Sequence, residues 1–190
     1  LDFLSSAFGS FLQNTLRLQK GDRFAIMMPN VLQYPIALFG ALRAGLTVVN
    51  VNPLYTPREL RHQLNDSGAK AALIIANRGH VLNEVLADTN IEHVITTKAG
   101  DLLPFPKGII ASLIVGRRQP VTPVENSTHF KDALREGQQS VLSDAGVNPD
   151  DIAFLQYTGG TTGDAKGAML THRNIVVNLE QISAWLETEE

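Results

Sequence analysis

Apolar positions along the chain fall into two alternating rhythms. Leu4, Phe8, Phe11, Leu12 and Leu16 recur at helical spacing and predict an amphipathic first helix. Gly21-Asp22 then turns into the apolar run Arg23 to Met28, read as a buried strand that Pro29-Asn30 ends. Val31 to Ala44 has the length and composition of a helix closed by Gly45, and Thr47 to Val51 is a strand rich in β-branched residues. Thr56-Pro57-Arg58-Glu59 combines a Thr N-cap, Pro in the first turn and a Glu that closes a capping box, so a helix should run from here to about Ser67-Gly68. Ala71 to Ala76 predicts a third strand, Val81 to Ala87 a short helix and His93 to Thr97 a fourth strand. These strands are continuously apolar and separated by helices. The pattern predicts an α/β fold with a mostly parallel sheet layered with helices on both faces.

The rhythm breaks between Gly100 and Asn148. Leu102 to Pro106 and Pro120 to Pro123 contain four of the nine prolines, which suggests a surface excursion. Ile109 to Val115 is apolar and ends at Arg117-Arg118; packing on the core is favoured over contact with a membrane face. After Pro149-Asp150-Asp151, a strand is expected over Ile152 to Tyr157, then a glycine loop, a short strand over Ala168 to Leu170, and a helix marked by Ile175, Leu179, Ile182 and Leu186. Three units follow: an α/β sheet subdomain over 1–98, an irregular connection over 99–150, and a strand–loop–strand–helix unit over 151–190.

Composition narrows the chemistry. Among 190 residues there is no cysteine, so thiolate catalysis, disulfides and cysteine metal sites are excluded. The net charge of −3 gives no bulk attraction to nucleic acid, and a polyanion would need a local device to hold it. His62, His80, His93, His129 and His172 show no metal-ligand spacing, and Gly-x-Ser-x-Gly is absent. Phe24 to Leu42 is uncharged but interrupted by Pro29, Asn30, Gln33 and Pro35, which favours strand and helix over a membrane span. Leu1-Asp2-Phe3 has neither the basic region nor the cleavage pattern of a secretory signal. The chain opens without Met and closes on Glu189-Glu190 after a helical pattern, where acidic residues oppose the helix dipole, so a piece of a longer protein is expected.

Candidate chemistry is concentrated in Tyr157-Thr158-Gly159-Gly160-Thr161-Thr162-Gly163-Asp164-Ala165-Lys166-Gly167. Four glycines between Gly159 and Gly167 let an anion approach backbone N–H groups without a Cβ in the way. Thr158, Thr161 and Thr162 add hydroxyl donors, and Lys166 adds a mobile point charge. By composition alone a plain hairpin turn competes with a phosphate cradle. The order of residues is neither a Walker A loop, since Lys166 precedes Gly167 and no hydroxyl follows, nor Gly-x-Gly-x-x-Gly.

The string resembles the phosphate-loop signature of the adenylate-forming superfamily, Tyr/Phe-Thr-Ser-Gly-Thr-Thr-Gly-x-Pro-Lys-Gly, and the likeness extends through Ala168-Met169-Leu170-Thr171-His172-Arg173-Asn174. Met27 to Asn30, Ala41 to Gly45 and Val49 to Leu60 are similar to the bacterial long-chain fatty acid–CoA ligase branch. Gly159 replaces the common serine, and Asp164-Ala165 stand where x-Pro is usual, with Asp164 expected to point into solvent.

The resemblance implies part of the large N-terminal domain of an adenylate-forming enzyme. Its activity would be that of an acid–thiol ligase, joining a fatty acid to ATP as an acyl-adenylate and passing it to coenzyme A. Residues Tyr157 to Ala168 would bind the nucleotide, with Thr158, Gly159, Gly160, Thr161, Thr162, Gly163 and Gly167 cradling the β- and γ-phosphates. Lys166 would be the catalytic electrostatic clamp and Thr158 a ligand for Mg²⁺. The partners implied are small molecules, without nucleic acid, in a cytoplasmic protein whose peripheral contact with the inner face of the membrane stays open. Other adenylate-forming ligases for medium-chain or aryl acids, and a non-catalytic nucleotide-binding module, are the competing readings. Later parts of the family's machinery lie beyond Glu190, so the piece alone is expected to be inactive. Asn50 to Leu60 and the histidines carry structural expectations.

Overall fold

The computed structural model describes residues 1–111, 121–158 and 165–187. Seven strands form one sheet in the order β5-β4-β3-β1-β2-β6-β7. They are β1 (Arg23–Met27), β2 (Thr47–Asn50), β3 (Ala71–Ile75), β4 (His93–Thr97), β5 (Thr128–His129), β6 (Ile152–Thr158) and β7 (Lys166–Thr171). Neighbours from β5 to β6 run parallel, while β7 returns antiparallel to β6.

Alternation along the strands explains why both faces are covered. Phe24, Ile26, Val48, Leu73 and Ile95 point to a layer made by α1 (Asp2–Ser10) and α2 (Gln33–Arg43), whereas Ala25, Met27, Val49, Ala72, Ile74 and Val94 point to the opposite layer. The second layer is α3 (Pro57–Ser67) with α4 (Gly79–Asn83), contributing Leu60, Leu64, Val81 and Leu82. Since side chains of a strand alternate between faces, a sheet buried on both sides needs an unbroken apolar sequence, as these strands have. The first layer is closed by α5 (Phe130–Gly137), whose Phe130 lies 5.0 Å from Phe8 between ring centroids; Phe8 in turn lies 5.9 Å from Phe24.

Local signals place most boundaries. Helix α1 continues as a π-helical turn over Phe11–Thr15, with Leu16 N–H donating to Phe11 O. Thr56 Oγ1 accepts from Glu59 N–H, Glu59 Oε2 accepts from Thr56 N–H at 2.8 Å, and Gly68 ends α3 in the left-handed conformation. Helices α1 and α2 touch at Gly9 and Gly40: a Cβ on Gly40 would sit 2.9 Å from Ser5 O, so the backbones can meet only without one.

The segment read as an irregular connection contains more order than its prolines suggest. Strand β5 adds to the sheet edge and α5 covers the core with Phe130, Ala133, Leu134 and Gly137, an i, i+3, i+4, i+7 face. The local helical period is present but short, and the flanking Pro-rich sequence masks it. Ile109 and Ile110 are exposed and Ala111 is half-buried, while the run from 112 to Val115 with Arg117-Arg118 lies outside the described residues.

Candidate functional site

Strand β6 ends and β7 begins at the candidate loop. Their register pairs Tyr157 with Gly167 and Thr158 with Lys166. Directly opposed residues of an antiparallel pair share a face. Thr158 and Lys166 therefore stand together on one face at the open end of the hairpin, and both are exposed. The adjacent pair is turned toward α3. Tyr157 is buried there, and its ring fills the place a Cβ on Gly167 would occupy, with Cε2 3.0 Å away.

Helix α3 grips both arms of the hairpin. Tyr157 Oη donates to Asp66 Oδ2 at 2.5 Å. Burial, then the hydrogen bond to the Asp66 carboxylate and its charge, push the Tyr157 phenol well above the ordinary tyrosine range. One turn earlier, His62 Nε2 lies 3.0 Å from Ala165 O. A carbonyl can only accept, so Nε2 carries the proton in this contact. Lys166 pairs with no carboxylate among the described residues.

Beside the hairpin, the carboxyl ends of β1, β2 and β6 open onto a pocket of about 520 Å³. Its lining is uncharged: carboxamides of Asn30, Asn50, Asn52 and Gln156 with the phenols of Tyr34, Tyr55 and Tyr157. Tyr34 Oη donates to Asn50 Oδ1 at 3.0 Å, and Gln63 Nε2 donates to Asn50 O at 2.8 Å. Burial raises the Tyr34 phenol above its ordinary value, against a smaller opposing effect of the Asn50 hydrogen bond. Crevices at the carboxyl ends of parallel strands are where α/β sheets place ligands.

Beyond the loop, Thr171 and Asn174 form a reciprocal cap on α6 (His172–Glu187): Asn174 Oδ1 accepts from Thr171 N–H, and Thr171 Oγ1 accepts from Asn174 N–H. Arg173 adds a bidentate pair to Asp150, which lowers that carboxyl below its ordinary value. His172 contributes its backbone N–H to Asp151 O. These contacts give the Thr171 to Asn174 segment a local structural role.

Of the residues proposed for phosphate binding, Tyr157, Thr158, Ala165, Lys166, Gly167 and Ala168 are placed as described. Gly159, Gly160, Thr161, Thr162, Gly163 and Asp164 lie outside the described residues. Reading the sequence missed His62 and Asp66, and with them Asn50, Asn52 and Tyr55 as pocket-lining groups. His62 and Asp66 are four apart, which puts them on one helical face beside the Leu60–Leu64 stripe; that signal was available, but its target in the fold was not. Among the described residues no cluster of three or more His, Asp or Glu could hold a metal, and no helix is long and apolar enough to cross a membrane.

A doubly covered, largely parallel sheet ending in a hairpin that exposes a cation and a hydroxyl defines an α/β protein. Residues 1–190 match the family described as AMP-binding enzyme, and the chain belongs to that family. It is 54% identical over 97% of its length to a long-chain fatty acid–CoA ligase of Escherichia coli O6:H1, covering 33% of that protein. A long-chain fatty acid–CoA ligase of Bacillus subtilis is 37% identical over 97% of this chain and 34% of its own. Among solved structures, a long-chain fatty acid–CoA ligase from Archaeoglobus fulgidus superposes with a TM-score of 0.73 at 28% identity, over 95% of this chain and 31% of that one. The chain thus spans about a third of the length of the curated relatives it matches.

Proposed function

We propose that this chain carries the triphosphate-gripping part of an AMP-forming long-chain fatty acid–CoA ligase. In the reaction, a fatty carboxylate attacks the α-phosphorus of ATP, the bond to the β-phosphate bridge breaks, and acyl-adenylate and pyrophosphate form. The coenzyme A thiol then displaces AMP at the acyl carbon. The electrostatic difficulty is the approach of one anion to another and the charge that builds on departing pyrophosphate. Donors fixed in advance around that charge lower the barrier.

The observation that carries the reading is the register that makes Thr158 and Lys166 neighbours on one exposed face at the mouth of the glycine-rich loop. Lys166 serves as the electrostatic clamp on the leaving phosphates. Thr158, Gly159, Gly160, Thr161, Thr162, Gly163 and Gly167 cradle the β- and γ-phosphates with hydroxyl and backbone N–H groups, and Tyr157, Asp164, Ala165 and Ala168 complete the segment. Mg²⁺ would neutralise phosphate charge when bound. The single Thr158 hydroxyl, without a carboxylate cluster among the described residues, suits an ion that arrives on the triphosphate with most of its ligands supplied by phosphate and water. Residues 1–98 then form the α/β sheet subdomain, 99–150 the connection, and 151–190 the loop-bearing unit. The reading carries a cytoplasmic enzyme working on small molecules.

The test uses the complete protein that contains this chain, offered carboxylic acids of graded length with ATP, Mg²⁺ and coenzyme A. AMP formation strongest with long-chain acids is the expected result. Turnover confined to medium-chain or aryl acids would assign another ligase of the family, and ATP binding without AMP formation a non-catalytic module. The isolated 190-residue piece is expected to show no ATP–pyrophosphate exchange.

A further inference from the structure

We propose that His62 and Asp66 of α3 are positioning residues for the anion-binding hairpin, fixing its two arms so that Lys166 and Thr158 are presented together. The inference rests on the adenylation reading above and names side chains that act through others without touching the nucleotide.

The two contacts bracket the loop symmetrically. Asp66 holds Tyr157, the residue before Thr158, and His62 holds the carbonyl of Ala165, the residue before Lys166. Both grips come from one helical face, since four residues make about one turn. The helix that carries them is itself immobilised. Its first turn is closed by Thr56 and Glu59, its Leu60 and Leu64 are buried, and Gln63 Nε2 ties its middle to Asn50 O at the end of β2. Movement of either arm against α3 therefore breaks a hydrogen bond.

The pleat turns the bracketed pair away from the Thr158 and Lys166 side chains. Tyr157 and Gly167 face α3, while Thr158 and Lys166 face the other way. The Asp66 carboxylate thus anchors the hairpin from the face opposite the Lys166 side chain. A phenol-to-carboxylate hydrogen bond is charge-assisted, so it resists exchange for water better than a neutral pair. The ring beneath Gly167 adds a steric stop that sets the spacing of the two strands.

The complete protein is tested with His62→Leu, Asp66→Ala, and the conservative variants His62→Gln and Asp66→Asn. A Gln amide can still donate to the Ala165 carbonyl, and an Asn oxygen can still accept from the Tyr157 phenol. Loss of either grip should raise the ATP KM by roughly fivefold or more while the fatty acid KM stays within about twofold. The conservative variants should restore most of the ATP KM. Amide hydrogen exchange at Thr158 and Lys166 should quicken by roughly tenfold in His62→Leu and Asp66→Ala, and not in strands β3 and β4. Equal impairment by conservative and disruptive variants, a parallel rise in both KM values, or unchanged exchange at the hairpin would overturn the inference. If the unaltered protein forms no AMP, the adenylation reading falls, and the exchange measurement still decides whether these residues hold the hairpin. If Asp66→Ala does not fold, Tyr157→Phe removes the same hydrogen bond with less disturbance and takes its place.

Discussion

The Tyr157 ring lies where a side chain on Gly167 would begin, with Cε2 at 3.0 Å and Cζ at 3.1 Å from an added Cβ. Elsewhere a ring could retreat by the few tenths of an ångström such a contact demands. Here its hydroxyl is tied to Asp66, so the ring cannot swing without losing that bond. Gly167→Ala should therefore cost about 1–3 kcal/mol, as overpacking of a filled site does. Denaturant unfolding of the whole protein measures it, and pairing the change with Tyr157→Phe should recover part of the loss.

Lys166 is exposed at the hairpin mouth, opposite Thr158. Replacing it with Ala in the complete protein should lower ATP–pyrophosphate exchange by about 10²-fold, the scale seen when one group that stabilises developing charge is removed. Lys166→Arg should retain only part of the rate, because a planar fork does not follow a moving phosphate as a compact ammonium does. Unchanged exchange in Lys166→Ala would remove this residue from the mechanism.

Alkaline titration reports on the α3 bracket. Tyr157 is held neutral first by burial and then by the Asp66 carboxylate, so its phenol ionises above the ordinary tyrosine value. A raised folded pKa contributes stability that is complete below the unfolded tyrosine value and is lost as pH rises toward and through the folded one. Difference absorbance between the unaltered protein and Tyr157→Phe should place the missing phenolate step above that of an ordinary tyrosine. Asp66→Asn should bring the step part of the way down.

The helix that supplies the bracket begins at Thr56. Thr56→Ala should cost about 1 kcal/mol through loss of the N-cap. The Glu59 carboxyl is held below its ordinary value, first by the Thr56 backbone N–H and then by the Thr56 hydroxyl. A depressed folded pKa contributes stability above the unfolded glutamate value, lost as pH falls through the folded one. Unfolding curves of the unaltered protein and Glu59→Gln should accordingly differ at neutral pH and converge in acid.

Phe130 tests whether the segment around it belongs to the core. It is fully buried against Phe8. Phe130→Ala should cost about 3–5 kcal/mol, the range for deleting a large core side chain. A loss below about 1 kcal/mol would place α5 outside the cooperative unit.

Local chemistry was enough to read much of this protein from its residues. Unbroken apolar strands announced a sheet covered on both faces, and the Thr56 to Glu59 pattern announced the start of α3. Each of these depends on neighbours close in sequence. Helix α5 was obscured because its four inward residues stand in a proline-punctuated stretch, and only the empty space over Phe8 and Phe24 makes them a core face. Likewise His62 and Asp66 lie roughly a hundred residues from the groups they hold. Whether a polar pair beside an apolar stripe meets solvent, a ligand or a hairpin depends on the crossover that carries α3 beneath β6 and β7. That juxtaposition is set by tertiary packing, because hydrogen-bond partners across such a distance are chosen by the fold as a whole.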